Sequence, residues 1–274
     1  MPSLTDVEEK EFDTPFGKPS DAIITGKLHG KQIAFLPRHG RGHMLNPSEV
    51  PYRANIYALK SLGVKYIIAV SACGSLREDL APGHIVIPDQ IYDNTKGKRD
   101  STFFNTGLVA HISLAEPLSP ELSKVLASKV KQASGTVHEG GTFITIEGPR
   151  FSTKAESNLY RQWGMSIIGM TSSPEAFLAA EAEIAYACMA HVTDYDVWHE
   201  SEEAVTVEMV IRVLQNNTTL AQKAISLMVE SMDDWRSNFT AHHGLKDSIL
   251  TNPQAISDKA KARLGLLIGK YLPK

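Results

Sequence analysis

The sequence predicts an α/β fold, a three-layer sandwich in which helices flank a mixed, mainly parallel central sheet. Three observations carry that expectation. Short strand-like runs alternate with helical stretches along the chain. Two of the runs, VKYIIAVSA and IAYACMAHV, are apolar almost throughout, as strands buried on both faces must be. No internal repeat, low-complexity tract or Pro/Gly linker divides the 274 residues, so residues 1–274 read as a single domain.

In chain order, residues 21–39 (DAIITGKLHGKQIAFLPRH) read as two strands around a glycine-containing turn. Residues 50–63 place apolar side chains at helical spacing and stop at Gly63. VKYIIAVSA (64–72) is a strand, and HIVIPDQIYD (84–93) the next one. SPELSKVLASKVKQAS is a helix with Ser119 as N-cap and Pro120 at the first helical position, where no N–H is needed. GTFITIEG (141–148) is strand-like, STKAESNLYRQWG (152–164) helical, MSIIGMT (165–171) a strand, and SSPEAFLAAEAE (172–183) a helix with Pro174 near its start. IAYACMAHVTDYD (184–196) is the last buried strand. A long helix covers 206–232, a polar stretch at 237–258 reads as a linker, and 258–272 is a closing amphipathic helix.

Composition excludes several classes of function. Apolar residues make up 42% and charged residues 22%, ordinary for a globular protein. A net charge of −3 without a basic stripe gives no footprint for nucleic acid. No apolar run approaches the roughly 18 residues of a membrane span. Two cysteines, Cys73 and Cys188, and an acidic N-terminus without an apolar h-region lead us to expect a cytoplasmic protein, nuclear as well in a eukaryote.

Ligands of open α/β sheets bind at the carboxyl ends of strands, and five strand ends here carry polar groups. RHGRGH (38–43) offers guanidinium forks and glycines suited to phosphate; alone, it reads more readily as a solvated basic turn. His39 and His43 lack a third ligand at metal spacing, so no metal is expected. SACGSL (71–76) is a run of small residues that can offer amides and a hydroxyl to an anion, or simply a tight turn. In TDYD (193–196), strand alternation sends Asp194 and Asp196 to one side. Two such carboxyl groups suit the N6 and N7 edge of adenine, one acting as general acid; a solvated acidic loop is the alternative.

The segments DTPFGKPSD, RHG, ACGSLRE, TIEGPRFSTKAES, MTSSPE and TDYD, in this order and spacing, resemble the 5′-methylthioadenosine phosphorylases, a branch of the trimeric purine nucleoside phosphorylases. The likeness runs from about residue 11 to 210 and is loose beyond. It implies phosphorolysis of methylthioadenosine to adenine and 5-methylthioribose 1-phosphate, with inorganic phosphate as co-substrate and no cofactor. By the family pattern, Arg38, His39, Ser71, Ala72 and Thr171 hold phosphate. Phe151 stacks near sugar and base, and the backbone at Met170 meets the ribose. Asp194 protonates N7 and Asp196 reads N6. Ser152, where 6-oxopurine relatives carry glutamate, selects a 6-aminopurine. Val207 and Val210 line the methylthio pocket, with Val207 also bearing on specificity. A homotrimer is implied, in which His111 and a residue near Tyr271 or Leu272 reach the neighbour's site.

Two departures from the pattern give rise to further expectations. The family's opening apolar strand and glycine-rich turn, resembling IGGTG, have no counterpart here, so a sheet strand and one phosphate-binding hydroxyl are expected to be missing. Gly169 stands where the family has asparagine, which loosens the ribose contact. The competing functions are a purine nucleoside phosphorylase of other base specificity and a silent purine-binding protein.

Overall fold

The computed structural model describes residues 3–199, 207–235 and 239–272. Strands β1 (Thr5–Lys10), β2 (Ile23–Leu28) and β3 (Lys31–Phe35) form a small antiparallel sheet. The main sheet has seven strands: β4 (Tyr66–Ser75), β5 (Ile85–Ile87), β6 (Gln90–Asn94), β7 (Val137–Glu139), β8 (Thr142–Ile146), β9 (Ile167–Gly169) and β10 (Ala185–Asp194). Their order is β6-β8-β9-β4-β10-β5-β7, and four of the six ladders are parallel. The sheet is thus mixed and mainly parallel, as the alternating pattern requires.

The helices among the described residues are α1 (Tyr52–Ser61), α2 (Pro120–Gln132), α3 (Lys154–Gln162), α4 (Ser172–Glu181), α5 (Val207–Glu230) and α6 (Asp258–Ile268). Both apolar runs lie at the centre: β4 and β10 pair in parallel, and all of β10 is buried. Successive side chains of β10 enter different cores, which explains the unbroken apolar run. Tyr186, Cys188, Ala190 and Val192 pack with α1, α4 and α6, whereas Ala185, Ala187 and Met189 pack with α2 and α5. Each fully buried aliphatic side chain there contributes about 1.5–3 kcal/mol. The helix starts follow their local chemistry. Ser119 Oγ accepts the Leu122 amide, and Thr153 and Glu156 close a reciprocal capping box on α3.

Several elements differ from the sequence reading. Residues 71–75 do not form a turn after the strand. They extend β4, because Ser71, Ala72 and Cys73 keep pairing with Ala190, His191 and Val192 and the next two residues pair with β9. HIVIPDQIYD bends at Pro88, which has no N–H to give a ladder, into β5 and β6. Its partner bends at Gly140 and Gly141, where a Cβ on Gly141 would sit 2.6 Å from Ser166 Oγ. The bent pair thus supplies strands at both edges of the sheet. The stretch at 237–258 is no bare linker, since Phe239, Leu245 and Ile256 are buried in it. Among the described residues, β3 pairs only with β2 and the first half of β4 only with β10. The two sheets meet through side chains, with Ala34, Leu36, Val64 and Ile67 around Ile23, Ala58 and Leu59.

Candidate active site

The carboxyl ends of β3, β4, β9 and β10 bring most of the expected residues together. At the end of β10 the ladder slips. Val192 faces Cys73 but Asp194 faces Gly74, so Thr193 is an extra residue that re-aims the next side chains. Asp194 Oδ1 then accepts the amide of Asp196 at 2.8 Å, and Asp196 takes a left-handed conformation with φ 52°. The Asp194 carboxyl and the Cβ of Asp196 therefore lie over Gly74. A Cβ on Gly74 would lie 2.9 Å from Asp194 Oδ1 and 3.3 Å from Asp196 Cβ. The two residues are neighbours here through a turn and not through strand alternation.

The two groups are buried, and that burial raises the pKa of each from its ordinary value. Thr193 Oγ1 stands 2.6 Å from Asp194 Oδ2 and 3.2 Å from the Cys73 carbonyl. A carbonyl can only accept. The hydroxyl can donate to either acceptor, and its bond to Oδ2, like that of the Asp196 amide to Oδ1, opposes the effect of burial. Burial outweighs these bonds, so Asp194 holds a proton more tightly than an exposed aspartic acid does.

Arg38, just past β3, is fixed from the other side. Its Nε and Nη2 donate to Glu175 of α4 at 2.6 and 2.7 Å, and Tyr186 donates its hydroxyl to the same carboxylate at 2.9 Å. The pair is largely buried, and the Glu175 charge outweighs desolvation to raise the arginine pKa. Arg38 thus presents one side of its fork, held rigidly. His39 Nδ1 lies 2.9 Å from the Leu45 carbonyl, so that nitrogen carries the ring proton. Burial lowers the pKa of His39, leaving Nε2 as an acceptor. Ser71, Ser152 and Ser172 have buried hydroxyls with no hydrogen-bond partner among the described residues, the state expected of groups that meet a ligand.

The segment from Gly169 to Pro174 links β9 to α4 and carries Met170 and Thr171. Ser173 is non-helical (φ −106°, ψ 135°), as a residue before proline tends to be, and its amide receives support from Thr145 Oγ1. Gly169 has a local reason to lack a side chain: a Cβ there would lie 2.7 Å from ring carbons of Phe143. Sequence reasoning missed Glu175 and the buried Arg99, which reaches the Met170 and Ser173 carbonyls. Their partners lie 137 and more than 70 residues away, and only tertiary structure reveals such contacts.

Other expected residues stand apart from this cluster. Phe151 is exposed at the surface beside Ser152. The side chains of Val207 and Val210, at the start of α5, lie outside the described residues. His111 sits on an exposed ribbon held by the C-terminal segment, its amide donating to the Ser248 carbonyl. Tyr271 donates to Glu183. Glu183 precedes β10, whereas Asp194 ends it, so about 30 Å of strand separates Tyr271 from its own chain's carboxyl pair. A polar concavity of about 790 Å³ lined by Arg77, Asp79 and Arg161 holds none of the expected residues. Among the described residues, no group of three histidine, cysteine or acidic side chains is arranged for a metal.

These features gather a buried arginine, a histidine and two buried carboxyl groups at the ends of the strands, and the comparisons with known proteins place the chain in a family. The phosphorylase superfamily model matches residues 2–230, and the chain belongs to that superfamily. Within it, the chain falls in the S-methyl-5′-thioadenosine phosphorylase family. It is 56% identical to the S-methyl-5′-thioadenosine phosphorylase of Chloroflexus aurantiacus, covering 99% of this chain and 94% of that one. The Geobacter sulfurreducens protein of the same name is 52% identical over 99% and 95%. A methylthioadenosine phosphorylase from an antarctic soil metagenomic library superposes with a TM-score of 0.93 at 49% identity, covering 97% and 94%. The methylthioadenosine phosphorylase of Schistosoma mansoni, in complex with adenine, gives 0.82 at 34% identity, covering 98% and 94%.

Proposed function

We propose that this chain cleaves 5′-methylthioadenosine with inorganic phosphate, giving adenine and 5-methylthioribose 1-phosphate. The observation that carries the reading is the pair Asp194 and Asp196, buried over Gly74 with raised pKa values, in a chain of this family. Asp194 protonates N7 as the C1′–N9 bond breaks and its electron pair passes to the purine. A phosphate oxygen forms the new bond to C1′ on the opposite face. The transition state carries positive charge on the sugar, which the phosphate offsets, so the protein contributes mainly positioning and electrostatics.

Arg38, His39, Ser71, Thr171 and the amide of Ala72 hold the phosphate in this reading. The lone pair at His39 Nε2 suits the hydroxyl of monohydrogen phosphate. Asp196 and Ser152 face the 6-amino edge, Phe151 and the Met170 backbone bound the sugar, and Val207 and Val210 take the methylthio group. No metal or organic cofactor takes part.

The functional unit in this reading is a homotrimer closed by head-to-tail contacts. The distance of Tyr271 from its own carboxyl pair, about 30 Å, supports it, because a lid built there serves a neighbour's site. So does the exposed ribbon carrying Val109, His111 and Leu250. Mass-spectrometric detection of a methylthioribose phosphate formed only when phosphate is present tests the reaction. Cleavage of inosine in preference to methylthioadenosine would refute the base assignment.

A further inference from the structure

Arg99 is the most heavily bonded side chain near the site that the mechanism above leaves without a role. It leaves the segment after β6 and is almost wholly buried, with a side chain 2% exposed. Its Nη1 donates to the Met170 carbonyl at 2.7 Å, the Ser173 carbonyl at 2.8 Å and the Tyr52 hydroxyl at 3.1 Å. Its Nη2 donates to the Glu147 carbonyl at 2.7 Å, and its Nε reaches the Glu147 carboxylate at 3.2 Å. One guanidinium thus ties α1, the end of β8 and both ends of the 170–173 segment together.

The two carbonyls it grips flank Thr171 and Ser172. Ser173 is held from both sides, its carbonyl by Arg99 and its amide by Thr145. The segment has little other support from the backbone ladder, since β9 ends at Gly169. It must nonetheless place a hydroxyl at the anion and a backbone group at the sugar. Removing Arg99 from a fold that otherwise persists would therefore free the 170–171 and 173–174 peptide units, which bracket Thr171 and Ser172. Lysine has one compact head in place of a planar fork and cannot reach all these acceptors at once.

We propose that Arg99 is a positioning residue for the phosphate subsite, acting through the Met170 and Ser173 carbonyls to hold Thr171 in register with Arg38. The proposal rests on the phosphorolysis reading, which assigns phosphate to Thr171. A residue that served stability alone would lower the melting temperature and the amount of active enzyme. It would not change the affinity for one substrate selectively.

The test compares the intact chain with Arg99→Lys and Arg99→Met. Initial rates of adenine release are measured while phosphate and methylthioadenosine are varied in turn. Thermal melts are recorded with and without phosphate. Loss of one well-placed donor set at a charged ligand corresponds to about a tenfold effect. The expected result is a KM for phosphate raised about tenfold or more in Arg99→Lys. The KM for methylthioadenosine should move less than about threefold, and the stabilisation of the melt by phosphate should shrink. Arg99→Met should show the same split more strongly. Equal KM values for phosphate in Arg99→Lys and the parent would overturn the proposal while leaving the functional reading intact. So would a fall in rate that tracks only the loss of folded protein. If the parent neither releases adenine nor is stabilised by phosphate, the functional reading fails and the proposal falls with it.

Discussion

Gly74→Ala tests the geometry of the carboxyl pair directly. A methyl group at this position would lie 2.9 Å from Asp194 Oδ1, 3.0 Å from Ile168 Cγ2 and 3.3 Å from Asp196 Cβ. Ordinary contact begins near 3.4 Å, so the Asp194 carboxyl group must retreat by about half an ångström. Misplacement of about 1 Å in a catalytic array costs about a hundredfold, so about a tenfold loss in kcat/KM is expected here. Overpacking should remove about 1–3 kcal/mol of stability. The matched control is Gly265→Ala on α6, where a Cβ meets nothing and the helix gains about 0.5–1 kcal/mol. The assay is the initial rate of adenine release, with melts on both variants. Full activity in Gly74→Ala would refute the placement of the acid at this carboxyl pair, and so would an equal loss in the control.

Glu175→Gln leaves Arg38 without its charged partner, and breaking a buried pair costs about 3–5 kcal/mol. Differential scanning calorimetry should show a melting point about 10 °C lower, and kinetics a KM for phosphate about tenfold higher. Glu181 takes hydrogen bonds from Thr102 and the Phe103 amide, and burial lifts its pKa from 4.5 to about 7. The folded state therefore holds this proton more tightly than the unfolded chain. The stability it contributes, about 3 kcal/mol, is complete below pH 4.5 and is lost as pH rises through 7. Urea titrations from pH 4.5 to 8 should show that slope, flattened in Glu181→Gln. Gly169→Asn should drive its side chain into Phe143 and destabilise the protein, and Phe143→Leu in the same chain should recover part of the loss.

The central strands, most helices and the residues along each strand end are legible in the sequence because their signals are local. An unbroken apolar run marks a doubly covered strand, and Ser119 with Pro120 marks a helix start. β1 (TDVEEK) carries no such mark, because its side chains are largely exposed and it exists through pairing with β2. Pro88 is a readable signal for a bend, masked by the apolar residues on either side of it. In TDYD the residues mark two buried carboxyl groups close in sequence. The bulge at Thr193 that aims them depends on register with β4, which one strand's sequence does not encode. Arg99 and Glu175 are illegible for the same reason. An isolated arginine or glutamate reads as surface, and here only distant carbonyls and a distant guanidinium account for the burial of each one beside the site.

The claim at the centre of this account is that Asp194 delivers a proton to a departing adenine when phosphate is present. The measurement that tests it most directly is adenine release from methylthioadenosine by the intact chain and by Asp194→Asn, each with and without phosphate. The account predicts release that requires phosphate and falls about a hundredfold to ten-thousandfold in the variant, with nucleoside binding retained. Equal rates in the two proteins, or a folded chain that binds methylthioadenosine yet releases no adenine at millimolar phosphate, would contradict it.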